Sequence, residues 1–233
     1  MTTDRHLAWE GCWNARDLGG LRLREGGQTR WRTTVRMDSP QRLTAKAWQE
    51  IWDYGVRTVI DLRNSHEIRP DGRPAGMTTL QVPLDKAKDP DFVLERGLEC
   101  TPLYYPTFLE RFPERVADVM RAIAGAKPGG IVYHCAAGRD RTGIVTLVLL
   151  ALAGVEPEDI AADNSLSGPR LKPAWAAIGL DDQSRAIDEL LTKHGTTVHE
   201  AALEVLTSFD AEKYLLNAGL TAQEIAVIRA RLV

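Results

Sequence analysis

One run, GGIVYHCAAGRDRTGIVTLVLLALAGV (Gly129–Val155), constrains this chain more than any other. Its apolar, β-branched opening reads as the core strand of an α/β sheet. Its apolar second half, Gly143–Val155, is too short to span a bilayer and reads as a buried helix. Between them a cysteine, a histidine, two arginines, an aspartate and two glycines are crowded into ten residues. A loop wrapped between a strand end and a helix N-terminus points successive backbone N–H groups inward, which makes a nest for an anion. The helix dipole places partial positive charge at the same spot.

The residue types suit that reading. Gly138 permits the positive φ such a loop demands. Arg141 can grip two phosphate oxygens through its planar fork. The same cationic cradle favours a thiolate at Cys135, and Thr142 can donate its hydroxyl to that sulfur. A cysteine five residues before an arginine is weak by spacing alone, and the strand–loop–helix context makes it specific. The other cysteines, Cys12 and Cys100, read as packing residues, since free cysteines are mostly buried. Three scattered cysteines make no disulfide framework and no zinc spacing, so a reducing compartment is the default.

The 233 residues suffice for one well-buried core, and the absence of repeats or linker-like tracts supports a single domain over 1–233. A net charge of -3 gives no electrostatic case for nucleic acid or an anionic membrane. The N-terminus lacks an apolar signal segment, so the expected location is cytoplasmic. Oligomeric state is open.

Along the chain, a hairpin is expected around Gly26-Gly27, then a short helix capped by Thr44 and stopped at Gly55. VRTVIDLR reads as a buried strand, and Leu80–Asp85 as another. Residues 104–124 carry helical periodicity with proline breaks, and from Glu156 the chain is mostly helical. Thr221 and Glu224 form a capping box for the last helix. The order implies an α/β fold: a central sheet flanked by helices, with an N-terminal hairpin and an added, lid-like helical C-terminal half.

HCAAGRDRTG resembles the signature loop of the cysteine-dependent protein tyrosine phosphatase superfamily. The Asp140-Arg141-Thr142-Gly143 ending is similar to its bacterial tyrosine/lipid phosphatase branch, whose loop reads HCxxGKDRTG. NARDLGG (Asn14–Gly20) and VIDLR (Val59–Arg63) match further elements of that branch, and YLLNAGLTAQEIAVIRARL resembles its last helices. Arg139 stands for the usual lysine and Ala15 for an aromatic. The resemblance implies a tyrosine-phosphatase-like fold and a metal- and cofactor-free, two-step reaction on a phosphorylated protein or phosphoinositide. Cys135 attacks phosphorus to form a phosphocysteine, which water hydrolyses. Arg141 and the amides of Ala136, Ala137, Gly138, Arg139, Asp140 and Arg141 hold the oxygens.

The general acid is the open assignment. Asp140 leads, with Asp61 and Asp85 as alternatives. Asp89 and Asp91 share a segment with Asp85 but read better as a solvated turn. His134 is expected to support the loop through hydrogen bonds. Arg16 and Asp17 are expected either to pair with each other in the N-terminal turn or to support the loop. Cys12 precedes the element expected to approach the loop, so a disulfide with Cys135 under oxidation is a further open question. Two other classes compete: a rhodanese-like sulfurtransferase, whose loops generally lack the R-T-G ending, and a phosphate-recognising module without turnover. No P-loop nucleotide-binding motif occurs.

Overall fold

A computed structural model describes residues 4–85, 98, 100–179 and 181–233. Asp89 and Asp91 lie outside the described residues. Among these residues five strands form one sheet: β1 (Arg16–Asp17), β2 (Thr34–Met37), β3 (Val56–Asp61), β4 (Thr78–Gln81) and β5 (Gly130–His134). Their spatial order is β1-β2-β5-β3-β4, with β1 antiparallel to β2 and the other pairs parallel. The central strand is therefore the one whose sequence reads as the core strand, and β5 is buried along its whole length. The chain reaches β5 last, between two strands laid down earlier. In open α/β sheets ligands collect outside the carboxyl ends of strands at such a reversal of order.

Strand alternation divides the core into two layers. Val35 and Met37 of β2, Val59 of β3 and Val132 of β5 pack with Trp48 and Ile51 of helix α1 (Ala45–Tyr54). Ile60, Ile131 and Tyr133 face the other way, in the layer shared with α2 (Tyr105–Arg111), α3 (Pro113–Ala124), α4 (Asp140–Leu152) and α10 (Ala222–Leu232). α4 is buried on every side, as its nearly all-apolar sequence requires. Thr44 caps α1 and Gly55 ends it in the left-handed conformation, as expected. The helical second half consists of α5 (Pro157–Ser165), α6 (Ser167–Ala177), α7 (Ser184–Lys193), α8 (Val198–Thr207), α9 (Ala211–Asn217) and α10, with the Thr221/Glu224 capping box in place.

Three details differ from expectation. The hairpin around Gly26-Gly27 is reduced to one antiparallel bridge, Arg22 with Gln28, because the chain leaves it to run as β2 beside β5. The strand expected at 80–85 is regular over 78–81, although Val82 and Leu84 still donate to Asp61 and Leu62. α4 begins at Asp140 rather than at Thr142-Gly143, which puts Asp140 and Arg141 in its first turn. Among the described residues no helix is long and apolar enough to cross a membrane.

Candidate active site

Cys135 follows the last residue of β5 and is buried at the base of the loop that leads into α4. Gly138 has φ +66, and a Cβ there would lie 2.3 Å from the Met37 carbonyl oxygen, so the position requires glycine on two counts. The underside of the loop is tied to the N-terminal segment. The Ser39 amide donates to the Ala136 carbonyl at 2.9 Å. Asn14 Nδ2 donates to the Ala137 and Gly138 carbonyls, both at 3.0 Å, and Arg36 Nη2 to the Gly138 carbonyl at 2.9 Å.

Behind these contacts lies a buried charge cluster. Arg16 and Arg36 are register partners on β1 and β2, so their side chains share one face. Two like charges there would repel, and Asp163 of α5 sits between them. Its carboxylate accepts from Arg16 Nε at 3.0 Å, Arg36 Nη1 at 2.8 Å and Arg5 Nη1 at 2.8 Å. Burial works to raise the Asp163 carboxyl, but Arg16, Arg36 and Arg5 hold it well below the usual carboxylate range. Burial, with Arg36 alongside, pushes Arg16 down to about 9, still cationic at neutral pH. Arg16 and Asp17 do not pair with each other: successive strand residues face opposite ways. Asp17 instead accepts from the Gly19 and Arg32 amides and from the Tyr54 hydroxyl.

The open side of the loop is organised by different charges. Glu67 accepts from Arg141 Nη1 and Nη2, both at 2.8 Å, and Asp85 from Nη1 at 3.3 Å. Burial opposes the Arg141 charge, but the bond to Glu67 raises its pKa above the ordinary guanidinium value. Glu67 is itself fixed by a reciprocal capping box with Asn64, and Asn64 Nδ2 also donates to Asp85 at 2.9 Å. Asp140 receives Arg139 Nε at 3.3 Å, and Arg139 Nη2 reaches Gln183 at 3.2 Å. Asp61 is buried and closed in a fork with Arg63, at 2.9 Å from Nε and 2.7 Å from Nη2. Burial works to raise Asp61, but its bonds to Arg63 leave it below the usual range.

His134 faces Asp61 because the two are register partners. Burial lowers its pKa to about 4, so the ring is neutral at neutral pH. Nδ1 lies 3.0 Å from the Cys135 carbonyl, which only accepts, so Nδ1 carries the proton. Thr142 is fully buried and its hydroxyl has no hydrogen-bond partner among the described residues, so the expected bond to Cys135 is not formed in this structure. Cys12 donates its thiol to the buried Asp38 at 2.6 Å and packs in the layer opposite to that of Cys135.

Helix α6 lies across the loop between two cavities. One, of about 270 Å³, is lined by Ala136 and Ala137 of the loop and by Trp13, Leu171, Trp175 and Ile178. The other, of about 170 Å³, is lined by Arg139, Asp140, Tyr105, Asn164 and Lys172. Sequence reasoning passed over Asn14, Arg36, Asp38, Glu67 and Asp163. Glu67 carried a readable signal, the N-x-x-E spacing of Asn64 to Glu67. Asp163 carried none.

Cys135 thus stands at the end of the central parallel strand, beside a loop whose carbonyls are held by Ser39, Asn14 and Arg36 and whose Arg141 is braced by Glu67. The chain belongs to the tyrosine phosphatase family, whose family model matches residues 7–233. It is 33% identical over 178 residues to a protein described as a putative tyrosine-protein phosphatase of Cupriavidus necator, covering 71% of this chain and 64% of that one. It is 30% identical over 139 residues to a tyrosine-protein phosphatase of Nostoc commune, covering 55% and 47%. The triple specificity protein phosphatase PtpB of Mycobacterium tuberculosis is 27% identical over 250 residues, covering 92% and 87%. The match spans less than two thirds of the first two relatives' own length. The crystal structure of a cysteine-to-serine variant of Pseudomonas aeruginosa TpbA in complex with pTyr overlays with a TM-score of 0.44 at 14% identity, covering 81% of this chain and 87% of that one.

Proposed function

We propose that this protein is a phosphomonoester hydrolase that uses Cys135 as nucleophile and passes through a phosphocysteine. The observation that carries the reading is the setting of Arg141. Glu67 takes the end of the guanidinium formed by Nη1 and Nη2, which leaves the Nε–Nη2 edge unused among the described residues. A guanidinium offers paired donors along each edge, so the free edge suits two oxygens of a phosphoryl group. Negative charge that develops on the equatorial oxygens would meet Arg141 and the loop amides between Ala136 and Arg141. Sulfur attacks phosphorus as the phosphorus–oxygen bond to the leaving group breaks. Water then attacks the same phosphorus and returns the thiolate.

The acid that protonates the leaving group is assigned to Asp140, on the first turn of α4 at the lip of the smaller cavity. Asp85 is the alternative; it already faces two donors, Asn64 and Arg141. Asp61 is closed off by Arg63 and serves to place that residue. Phosphotyrosine is the preferred substrate class, because the larger cavity beside Ala136 and Ala137 is walled by Trp13 and Trp175, which offer an aryl ring two aromatic neighbours. Phosphoinositides are the second class, with the cationic Arg139 and Lys172 beside the smaller cavity.

Hydrolysis of p-nitrophenyl phosphate in excess chelator, blocked by vanadate and lost in Cys135→Ser, is the expected result. Activity surviving in that variant would remove the cysteine mechanism. A panel of phosphotyrosine, phosphoserine and phosphoinositide substrates compared by kcat/KM orders the substrate classes, with phosphotyrosine expected first.

A further inference from the structure

The carbonyls of the loop are held more firmly than a surface turn requires. In a trans peptide the C=O of one residue and the N–H of the next point in opposite directions. Fixing the carbonyls of Ala136, Ala137 and Gly138 on the outside therefore aims the amides of Ala137, Gly138 and Arg139 at the inside. Those three amides make no hydrogen bond among the described residues. The carbonyls behind them, by contrast, are matched by Ser39, Asn14 and Arg36. Ser39 donates through its backbone, so the side chains responsible are Asn14 and Arg36.

The orientation of Asn14 follows from donor and acceptor chemistry. Arg16 Nη1 reaches Asn14 Oδ1 at 2.5 Å, and a guanidinium can only donate, so the oxygen faces Arg16 and the amide nitrogen faces the loop. The Asn14 backbone amide is anchored on Asp38 at 2.9 Å. Arg36 is held on its far side by Asp163. Each of the two groups is fully buried and gripped from behind.

We propose that Asn14 and Arg36 are positioning residues of the phosphate loop, which set the inward aim of its amides by holding its carbonyls outward. This rests on the phosphatase reading for its kinetic consequences, but its binding consequence stands apart from catalysis. Asn14→Asp is the sharpest probe. It is nearly isosteric and keeps an oxygen toward Arg16, but it sets a second oxygen against two carbonyls. Asn14→Ala removes the donors without adding repulsion.

Tungstate, a tetrahedral oxyanion, is titrated by calorimetry into Cys135→Ser protein carrying each change, and vanadate inhibition is measured in the parent. The expected loss of oxyanion affinity is about ten-fold for Asn14→Ala, as for one lost hydrogen bond. It is about 10²-fold for Asn14→Asp, the scale of a lost oxyanion donor. kcat/KM should fall by the same factor as vanadate affinity. A purely structural role would instead lower kcat with the fraction of folded protein and leave KM, vanadate inhibition and tungstate affinity unchanged, and that result would overturn the proposal. Should Asn14→Asp fail to fold, Asn14→Ala gives the same readout. If Cys135→Ser keeps its activity, the phosphatase reading fails, while tungstate binding still decides the role of Asn14.

Discussion

The two sides of the loop are held by charges used in opposite ways. Beneath it, Arg16, Arg36 and Asp163 are fully buried, and Asn14 with them. In front of it, Arg141, Glu67, Asp85 and Asp140 keep between 15% and 25% of their side-chain surface. A buried ion pair stripped of one partner leaves an uncompensated charge in low dielectric, which is very costly, so the underside is fixed. A partly exposed pair can exchange partners with water or an incoming anion at small cost. On the phosphatase reading, the underside sets shape and the open side does chemistry.

The largest effect should come from the open side and should be chemical. If Asp140 is the acid, Asp140→Asn lowers kcat by about 10²–10⁴-fold on an alkyl or phenyl phosphate and much less on p-nitrophenyl phosphate, whose leaving group needs little protonation. Asp85→Asn should lower both alike. The reverse pattern, read from kcat across a leaving-group series, would hand the role to Asp85. On the underside the comparison predicts a loss of stability. Asp163→Ala leaves Arg16 and Arg36 facing each other and should cost about 3–5 kcal/mol, read as a lower urea midpoint with unchanged slope. A change of less than about 1 kcal/mol would put the cluster in the class of surface pairs.

A smaller effect comes with pH. The folded pKa of His134 is about 4 against 6.5 for a free ring. Between those values the unfolded chain takes up a proton that the folded chain refuses. Stability is therefore fully present above about pH 6.5 and lost as pH falls toward 4, by about 3 kcal/mol in all. His134→Gln should flatten that part of the urea-unfolding profile. An unchanged slope between about pH 6.5 and 4 would show that His134 titrates freely in the folded protein.

The sheet and the loop were legible in sequence because local patterns encode them. An apolar run leading to Cys135 made β5, Gly138 marked the turn, and Thr44 and Gly55 bounded α1. The charge network was not legible. The Arg16–Asp17 dipeptide suggested a local pair, but strand alternation separates the two, and the true partner of Arg16 lies 147 residues away. No periodicity marks Asp163 in a helical stretch rich in acids. Glu67 stood between these cases, since its capping spacing was local and its grip on Arg141, 74 residues on, was not.

Those long spans also order events in time. Cys135 is made before Asp163 during synthesis, and the residues around its loop come from both sides of it: Asn14 and Arg36 from the start of the chain, Asp163 from after α4 has been completed. Contacts of such sequence separation close late, because the chain entropy of joining distant segments must be met first. A nascent chain that ends short of α5 thus carries the complete HCAAGRDRTG motif without the acid that seats its supporting arginines. On the proposed mechanism, reactivity at Cys135 would follow completion of the fold rather than the presence of the motif.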